Sequence, residues 1–365
     1  MAERGAVPQV PAMRRRLLRA ARTFTTPLLP DDYLELINPL WSARELRGRI
    51  ERIEPETPWA STVVIRPGWE WPGHRPGQYL RVGVDIDGVR CWRAYSLTSD
   101  PGAKDGMLRI TPKLVEGGQV SPFLVREATP GMIVGLGGVE GTFVLPDPAP
   151  AKVLFVTAGS GVTPVMSMLR ALERRAALRD VVHIHSARTA DEVIFGTQLR
   201  GMAIRSTGLT LIERRTGDDG RATPGHLDEL CPDWREREAF VCGPADMLDD
   251  YAERYAADGI SEQLHTERFQ PTLSAMVGQG AGGEIAFTRS RCSGESDGNV
   301  PILEAGERAG ARLPYGCRMG ICHTCVGFLR SGQVRDLRTG EVLGAPGDLV
   351  RTCVNAPEGP IEIDL

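Results

Sequence analysis

Apolar positions recur along this chain with two different periods. Between residues 46 and 148 they alternate over short runs, LRGRIERIEPE, STVVIRP, QYLRVGVDIDGVRCWRAYSLTS and MLRITPKL, separated by glycine and proline turns. A period of two turns one face of a strand inward, and several such runs close together predict a small all-β barrel. From Val153 the pattern changes. AKVLFVTAGSGVTPVMSMLRALERR reads as a buried strand over Val153–Thr157, a glycine turn and an amphipathic helix. The apolar runs VVHIHSA, LTLIE and AFVCG follow, spaced by helical segments. Strands alternating with helices predict a parallel sheet, with ligands at the carboxyl ends of its strands. Near the end, EIAFTRSRCSGES reads as a strand pair around Ile285 and Phe287, VPILEAGERAGARLP as a short helix and turn, and GPIEIDL as a closing strand. SAMVGQGAGGE (274–284) has the composition of a flexible linker. The expected fold is therefore multidomain. It has an N-terminal extension (1–45), an antiparallel β-barrel (46–148), an α/β parallel-sheet domain (149–272), a linker (273–282) and an α+β domain (283–365).

Composition narrows the function classes. A length of 365 residues suits two to four domains, and 41% hydrophobic with 25% charged residues is ordinary for a globular protein. A net charge of −4 gives no pull toward nucleic acid. No apolar run approaches the ~18 residues of a membrane span, and MAERGAVPQVPAMRRR lacks an apolar signal core. A cytoplasmic protein is expected, in which clustered cysteines hold metal or do redox chemistry more often than they pair. The only lysines are Lys104, Lys113 and Lys152; that arginine bias reads as a GC-rich genome rather than as chemistry.

Eight cysteines are present, three of them in PYGCRMGICHTC (314–325). Cys317, Cys322 and Cys325 have the spacing C-x4-C-x2-C, and Cys353 follows from a distant loop. This is the plant-type spacing for a 2Fe-2S cluster. Gly316 and Gly320 let the backbone approach the sulfurs and adopt positive φ. Structural zinc prefers two short C-x2-C pairs, which the distant Cys353 fits badly. With the strands around it, the segment from about 283 to 365 resembles a plant-type ferredoxin domain, which implies a β-grasp fold. By the same resemblance Cys292 lies on a strand as buried filler.

The glycine turn after the first parallel strand carries Gly159, Gly161, Thr163 and Pro164 in a G-x-G-x-x-P pattern. Glycines there admit a pyrophosphate to the helix start, although a plain strand–helix turn looks similar. FVCGPADML (240–248) adds Cys242, Gly243 and Pro244 at the end of the last apolar run. The two segments in this order resemble the nicotinamide site of the ferredoxin-NADP reductase superfamily.

That resemblance implies a flavin barrel upstream, where RAYS (Arg93–Ser96) is similar to the superfamily's R-x-Y-S motif. Arg93 and Tyr95 share one strand face. The resemblance implies Arg93 on a flavin phosphate, Tyr95 flat along the isoalloxazine and Ser96 donating toward flavin N5, with Tyr95, Ser96 and Cys242 as the catalytic set. The alternative is a strand with an exposed arginine and a core tyrosine. In VEGGQVSPFL (115–124), Gly117, Gly118, Val120 and Ser121 resemble the loop and helix start that hold the FAD diphosphate. The phthalate dioxygenase reductase type, which uses FMN, has the same domain order, but the Gly-Gly loop favours FAD.

The expected whole is an electron-transfer reductase resembling the phenylacetate- and ketosteroid-hydroxylase reductase type, passing electrons from NAD(P)H through FAD to the 2Fe-2S cluster. HTERFQP (265–271) resembles the segment closing the nicotinamide domain, placing Glu267 and Phe269 near the flavin; the alternative for them is a helix-end charge and a core aromatic. Arg188 follows the second parallel strand, where a 2′-phosphate wants arginine and a bare ribose wants a carboxylate. With Arg214 and Arg215 nearby, and Asp191 and Glu192 only further on, it points to NADPH over NADH; the alternative for Arg188 is an ordinary surface residue. His183 and His185 alternate with apolar residues and read as core or edge histidines. PAMRRRLLRAARTF carries Arg14, Arg15, Arg16, Arg19 and Arg22 without an acid. It suits either a basic amphipathic helix on an anionic membrane at its inner face or a solvated terminus. FTTPLLPDDYLELINPLWSARELRG resembles the N-terminal extension of actinobacterial reductases serving membrane acyl-CoA desaturases, which are di-iron enzymes. The implied acceptor is such a desaturase. Alternatives are an alkane, steroid or aromatic hydroxylase, or a role as a non-enzymatic redox sensor. Cys91 and Cys231 receive no role.

Overall fold

The structure is a computed structural model that describes residues 36–42, 45–116, 118–269, 280–315, 320 and 324–365. The basic segment at 14–22, Gly117, Cys317, Cys322 and the linker residues 273–279 lie outside the described residues. Backbone packing divides the chain into two compact units, residues 1–90 with 94–268, and 91–93 with 269–365.

Six antiparallel strands open the first unit: β1 (Arg47–Thr57), β2 (Ala60–Pro67), β3 (Tyr79–Ile86), β4 (Val89–Ser96), β5 (Leu108–Ile110) and β6 (Ile133–Glu140). Their order is β4-β3-β6-β1-β2-β5, and the bridge Leu97↔Ile110 joins the two edges into a barrel. The turn between β3 and β4 is Asp87-Gly88 with both φ positive, the hairpin chemistry that matches strand twist. β6 was not among the expected runs, because IVGLGGVE carries three glycines and little alternation. A short helix, α1 (Val120–Pro122), continues as a π turn over Phe123–Glu127.

Five parallel strands follow: β7 (Val153–Ala158), β8 (Val181–Ala187), β9 (Leu209–Arg215), β10 (Glu238–Cys242) and β11 (Leu264–Glu267), ordered β11-β10-β7-β8-β9. The crossovers carry α2 (Val162–Arg174), α3 (Gly196–Arg205), α4 (Leu227–Leu230) and α5 (Ala245–Ala257). Both faces of the sheet are covered, which is why its strands read as apolar runs. On one face Leu154, Val156, Ala239 and Val241 pack with Trp234, Tyr251 and Tyr255. On the other, Val153, Phe155 and Phe240 pack with Val165, Met166 and Leu169 of α2. α2 is buried along most of its first two turns rather than amphipathic in the simple sense.

That second core does not stop at the sheet. Ala60, Phe143 and Leu145 from the barrel side belong to it, with the Phe143 and Phe240 rings edge to face at 5.6 Å. The barrel and the parallel sheet thus share one apolar interior.

The second unit has a mixed sheet ordered β13-β12-β19-β14-β17, from β12 (Gly283–Phe287), β13 (Cys292–Ser296), β14 (Val326–Ser331), β17 (Leu349–Arg351) and β19 (Ile361–Asp364). A small sheet of β15 (Val334–Asp336), β16 (Val342–Leu343) and β18 (Asn355–Pro357) lies beside it in the chain, and α6 (Ile302–Arg308) packs on β12 and β13. β12 and β19 are parallel and the other pairs of the large sheet antiparallel, the β-grasp arrangement. Cys292 opens β13 and is half-buried rather than buried, its thiol at the margin of the core. Gly280–Gly282 is bonded to this unit: Ala281 N–H donates to Glu358 and Gly359 N–H to the Gly282 carbonyl. The expected class, a β-barrel followed by a parallel α/β domain and a β-grasp domain, is the class observed.

Replacing Phe143 by alanine should destabilise the first unit by about 3–5 kcal/mol, the usual range for a buried phenylalanine. A urea midpoint of that unit equal to wild type would show that the shared core does not bind barrel to sheet.

Candidate functional site

The carboxyl end of the parallel sheet gathers the residues of the glycine turn and the Cys-Gly-Pro segment. β7 ends at Ala158, and Gly159 takes φ +54°, the left-handed region. Gly161 is buried against the Cys242 carbonyl, so closely that an added Cβ would stand 2.0 Å from that oxygen. Two segments about 80 residues apart in the chain therefore touch through a bare backbone. Thr163 Oγ1 donates to the Ser160 carbonyl at 2.9 Å and closes the turn, and Pro164 is buried in the first turn of α2. Gly243 and Pro244 follow Cys242, with Pro244 capping α5.

Cys242 is fully buried, and burial, with Glu267 adding to it, holds its thiol pKa well above the ordinary value. Its neighbour in the sheet is Glu267, paired with it at the ends of β10 and β11. Glu267 Oε2 is buried without a hydrogen-bond partner. Desolvation pushes that carboxyl up to about 8, so it is protonated at neutral pH. Phe269, two residues on, is exposed rather than a core aromatic.

At the ends of β8 and β9, Arg188 and Arg215 are exposed, and no ion pair of the described residues includes either. Arg214 is engaged on its own turn, donating to the Asp219 and Gly220 carbonyls. His183 and His185 are completely buried on β8. The Thr157 hydroxyl on β7 bonds both, 2.8 Å to His183 Nε2 and 2.7 Å to His185 Nδ1, donating to one ring and accepting from the other. Burial drives both imidazoles to the neutral form, His185 down to about 4. They are core histidines, and Thr157, which no motif marked, is their partner.

In the barrel, β4 carries Arg93, Tyr95 and Ser96. Arg93 and Tyr95 are half-buried; Ser96 is buried, and its Oγ finds no hydrogen-bond partner. The loop after β5 is closed by Ser121 Oγ, which accepts from Val115 N–H at 3.1 Å, with Gly118 N–H donating to the Val115 carbonyl. Val120 is buried under it.

One helix ties the two groups together. α2 begins directly after Gly161, and its Ser167 Oγ donates to the Ser99 carbonyl at 2.7 Å. Arg170 donates to the Thr98 carbonyl at 2.5 Å and Arg174 pairs with Asp100. These acceptors lie two to four residues beyond Ser96. Burial lowers the Arg170 guanidinium to about 10, still charged at neutral pH. Sequence reasoning missed this grip; its only trace was polar residues at i, i+3 and i+7 along a mostly apolar helix.

In the second unit Cys325 and Cys353 are buried and stand 3.2 Å apart at Sγ. Two thiolates on one tetrahedral metal stand roughly 3.8 Å apart, given metal–sulfur bonds of ~2.3 Å. These two side chains are already close to that spacing. The fit to each group rests on such features. Ser96 offers a buried hydroxyl wanting an acceptor, Gly159 an open backbone with nothing within 4 Å of its Cβ position, and the cysteines soft donors in a dry core.

Because Glu267 is protonated in the fold well above its ordinary value of 4.5, the unfolded state releases its proton first as pH rises. Stability conferred at low pH should therefore fall between about 4.5 and 8 in the wild type. Glu267→Gln should lack that slope, read as thermal midpoints from pH 5 to 8.5; parallel curves would place the carboxylate in water.

Comparison with known proteins agrees with this geometry. Three family models match in succession: an oxidoreductase FAD-binding domain over residues 72–145, an oxidoreductase NAD-binding domain over 155–253 and a 2Fe-2S iron-sulfur cluster binding domain over 290–358. An NADPH oxidoreductase of Mycobacterium tuberculosis is 48% identical over 352 residues, 96% of this chain and 92% of the relative. The glycine betaine monooxygenase reductase subunit of Pseudomonas aeruginosa is 31% identical over 320 residues, 80% of this chain and 87% of the relative. The solved structure of phthalate dioxygenase reductase shares the fold, with a TM-score of 0.58 at 23% identity, covering 88% of this chain and 98% of that one. The protein is an oxidoreductase using FAD, a nicotinamide dinucleotide and a 2Fe-2S cluster. With its three cofactor domains in this order, the chain belongs to the ferredoxin-NADP reductase superfamily, among the flavin reductases that carry a C-terminal 2Fe-2S domain.

Proposed function

We propose that this reductase takes its electrons from NADPH and delivers them to a membrane di-iron fatty acyl-CoA desaturase. The observation that carries the electron path is the succession of three cofactor domains in one chain. A nicotinamide gives two electrons as hydride, a 2Fe-2S cluster takes one, and a bound flavin reconciles the two.

The chain's own residues would divide the work. Arg93 would hold a flavin phosphate and Tyr95 would lie along the ring, while Ser96 Oγ would donate a hydrogen bond toward flavin N5. Gly117, Gly118, Val120 and Ser121 form the diphosphate loop. Gly159, Gly161, Thr163 and Pro164 admit the nicotinamide dinucleotide, with Cys242, Gly243 and Pro244 beneath it. Glu267 Oε2 holds a proton beside the Cys242 thiol. Cys317, Cys322, Cys325 and Cys353 ligate the cluster. The working boundaries are those read from the sequence, with the flavin barrel ending near 148 and the ferredoxin domain beginning near 283.

Exposed Arg188 and Arg215, with no carboxylate at the end of β8, support NADPH, because an arginine fork suits a 2′-phosphate. Anaerobic titration with NADPH and NADH should bleach flavin and cluster bands together. Arg188→Ala should weaken NADPH by about tenfold, the loss of one charge-assisted contact, and leave NADH unchanged. Equal losses for both would overturn the NADPH assignment, and bleaching of the flavin alone would overturn the electron path.

For the acceptor, the support is the N-terminal segment. Five arginines without an acid at 14–22 suit an anionic lipid surface. The described chain then opens on Leu36 and Ile37, both more than 70% exposed. A cytoplasmic protein resting on the inner membrane face would meet a membrane desaturase there. A second reading, a reductase of an oxygenase, is favoured by the 31% identical monooxygenase reductase subunit. Full-length protein should pellet with anionic vesicles and support desaturase turnover, and protein lacking residues 1–45 should lose both. Equal pelleting by the two would remove the support for a membrane acceptor.

A further inference from the structure

The cluster loop between Cys317 and Cys322 contains Gly320, which is buried against residues from elsewhere in the unit. It is buried at φ +71°, and an added Cβ would stand 2.8 Å from Arg338 Nη1 and 2.8 Å from Val354 Cγ2. Its carbonyl accepts from Arg351 Nη1 at 3.0 Å. Arg351 ends β17, two residues before Cys353.

Both guanidinium groups are organised by one carboxylate. Asp336, 5% exposed at the end of β15, receives Arg338 Nε at 3.0 Å and Nη2 at 2.7 Å, a bidentate fork. Arg351 Nη2 stands 3.6 Å from the same carboxylate. Asn355, paired with Asp336 across β15 and β18, donates to the Arg351 carbonyl at 2.9 Å. Among the described residues, the Arg338 and Arg351 guanidinium groups meet at the Asp336 carboxylate, and Arg351 touches the cluster loop at a backbone oxygen.

We propose that Arg351, held by Asp336, is a positioning residue that fixes the cluster loop at Gly320 and raises the reduction potential of the 2Fe-2S cluster. The sign follows from charge. Reduction adds one negative charge to the cluster, and a fixed positive charge nearby favours that state. The hydrogen bond to Gly320 orients a loop whose sulfurs do the ligation, the role that outer partners play at metal sites.

The test uses full-length holoprotein, with the cluster midpoint potential read by anaerobic titration of its EPR signal and cluster retention read as iron release to a chelator. Arg351→Gln should move the midpoint more negative and speed iron release by about tenfold. Asp336→Asn removes a negative charge, so it should move the midpoint more positive while also speeding release. Arg308→Gln, on α6 with a side chain 63% exposed and paired only with Glu304 in the described residues, removes the same charge as Arg351→Gln. It should leave both readings at wild type. Shifts of one sign in Arg351→Gln and Asp336→Asn, or an Arg308→Gln shift equal to that of Arg351→Gln, would overturn the proposal. If Arg351→Gln retains no cluster, Arg351→Lys is the second variant. It keeps the charge without the fork, so a wild-type midpoint with faster release is expected, and a wild-type release rate would overturn the clamp. The inference rests on the cluster assignment: absence of an EPR-active centre in wild type would sink that assignment, whereas unshifted potentials would sink only the clamp.

Discussion

The first unit depends on the grip of α2 on the end of the flavin barrel. Ser167, Arg170 and Arg174 form one ridge of that helix and hold Thr98, Ser99 and Asp100 just beyond β4. The same helix starts at Gly161, against the Cys242 carbonyl. One rigid element thus fixes the glycine turn and the strand end that bears Ser96. Hydride transfer requires reacting atoms held within a few tenths of an ångström of productive geometry, and such precision comes from elements packed on both sides. Gly77 shows how tightly they meet: at φ +98°, an added Cβ would stand 2.2 Å from the Phe143 carbonyl and 2.4 Å from the Met168 methyl. The barrel and sheet approach until only backbone fits.

Within that frame lie several buried polar groups. The Thr157 hydroxyl bonds one ring nitrogen each of His183 and His185, which stay neutral at the centre of the sheet, while His183 Nδ1 and His185 Nε2 are buried without partners. Ser96 Oγ and Glu267 Oε2 are buried without partners, a state that costs about 1–3 kcal/mol per group in a finished interior. Both lie at the ends of strands, where a ligand would complete them. Cys242 sits with Glu267 and is held as a neutral thiol by burial.

The second unit follows a different economy. Its apolar interior, built on Ile285, Phe287, Leu329, Val354 and Ile363, also contains Cys325 and Cys353. Around it lies a layer of organised charge: Asp364 receives Arg289 and Arg330, Arg335 pairs with Glu358, and Asp336 gathers Arg338 and Arg351. Exposed pairs of this sort contribute little to stability. The buried ones specify where a strand end or a loop stands.

The local periods and punctuation determined most of the fold. Alternation identified the barrel strands except β6, whose glycines removed the pattern, and apolar runs identified every strand of the parallel sheet except the short β11 inside HTERFQP. The three cofactor domains were legible because cofactor chemistry demands fixed residue types at fixed intervals along the chain. Tertiary structure alone decided which of the marked residues meet. That Gly161 abuts Cys242, that Glu267 loses its water beside it, that Arg214 is spent on its own turn while Arg188 is not, and that Arg351 reaches Gly320 all depend on contacts between segments tens of residues apart. Periodicity records which face of an element is buried. Burial of a polar atom and the identity of its partner depend on what packs against that face.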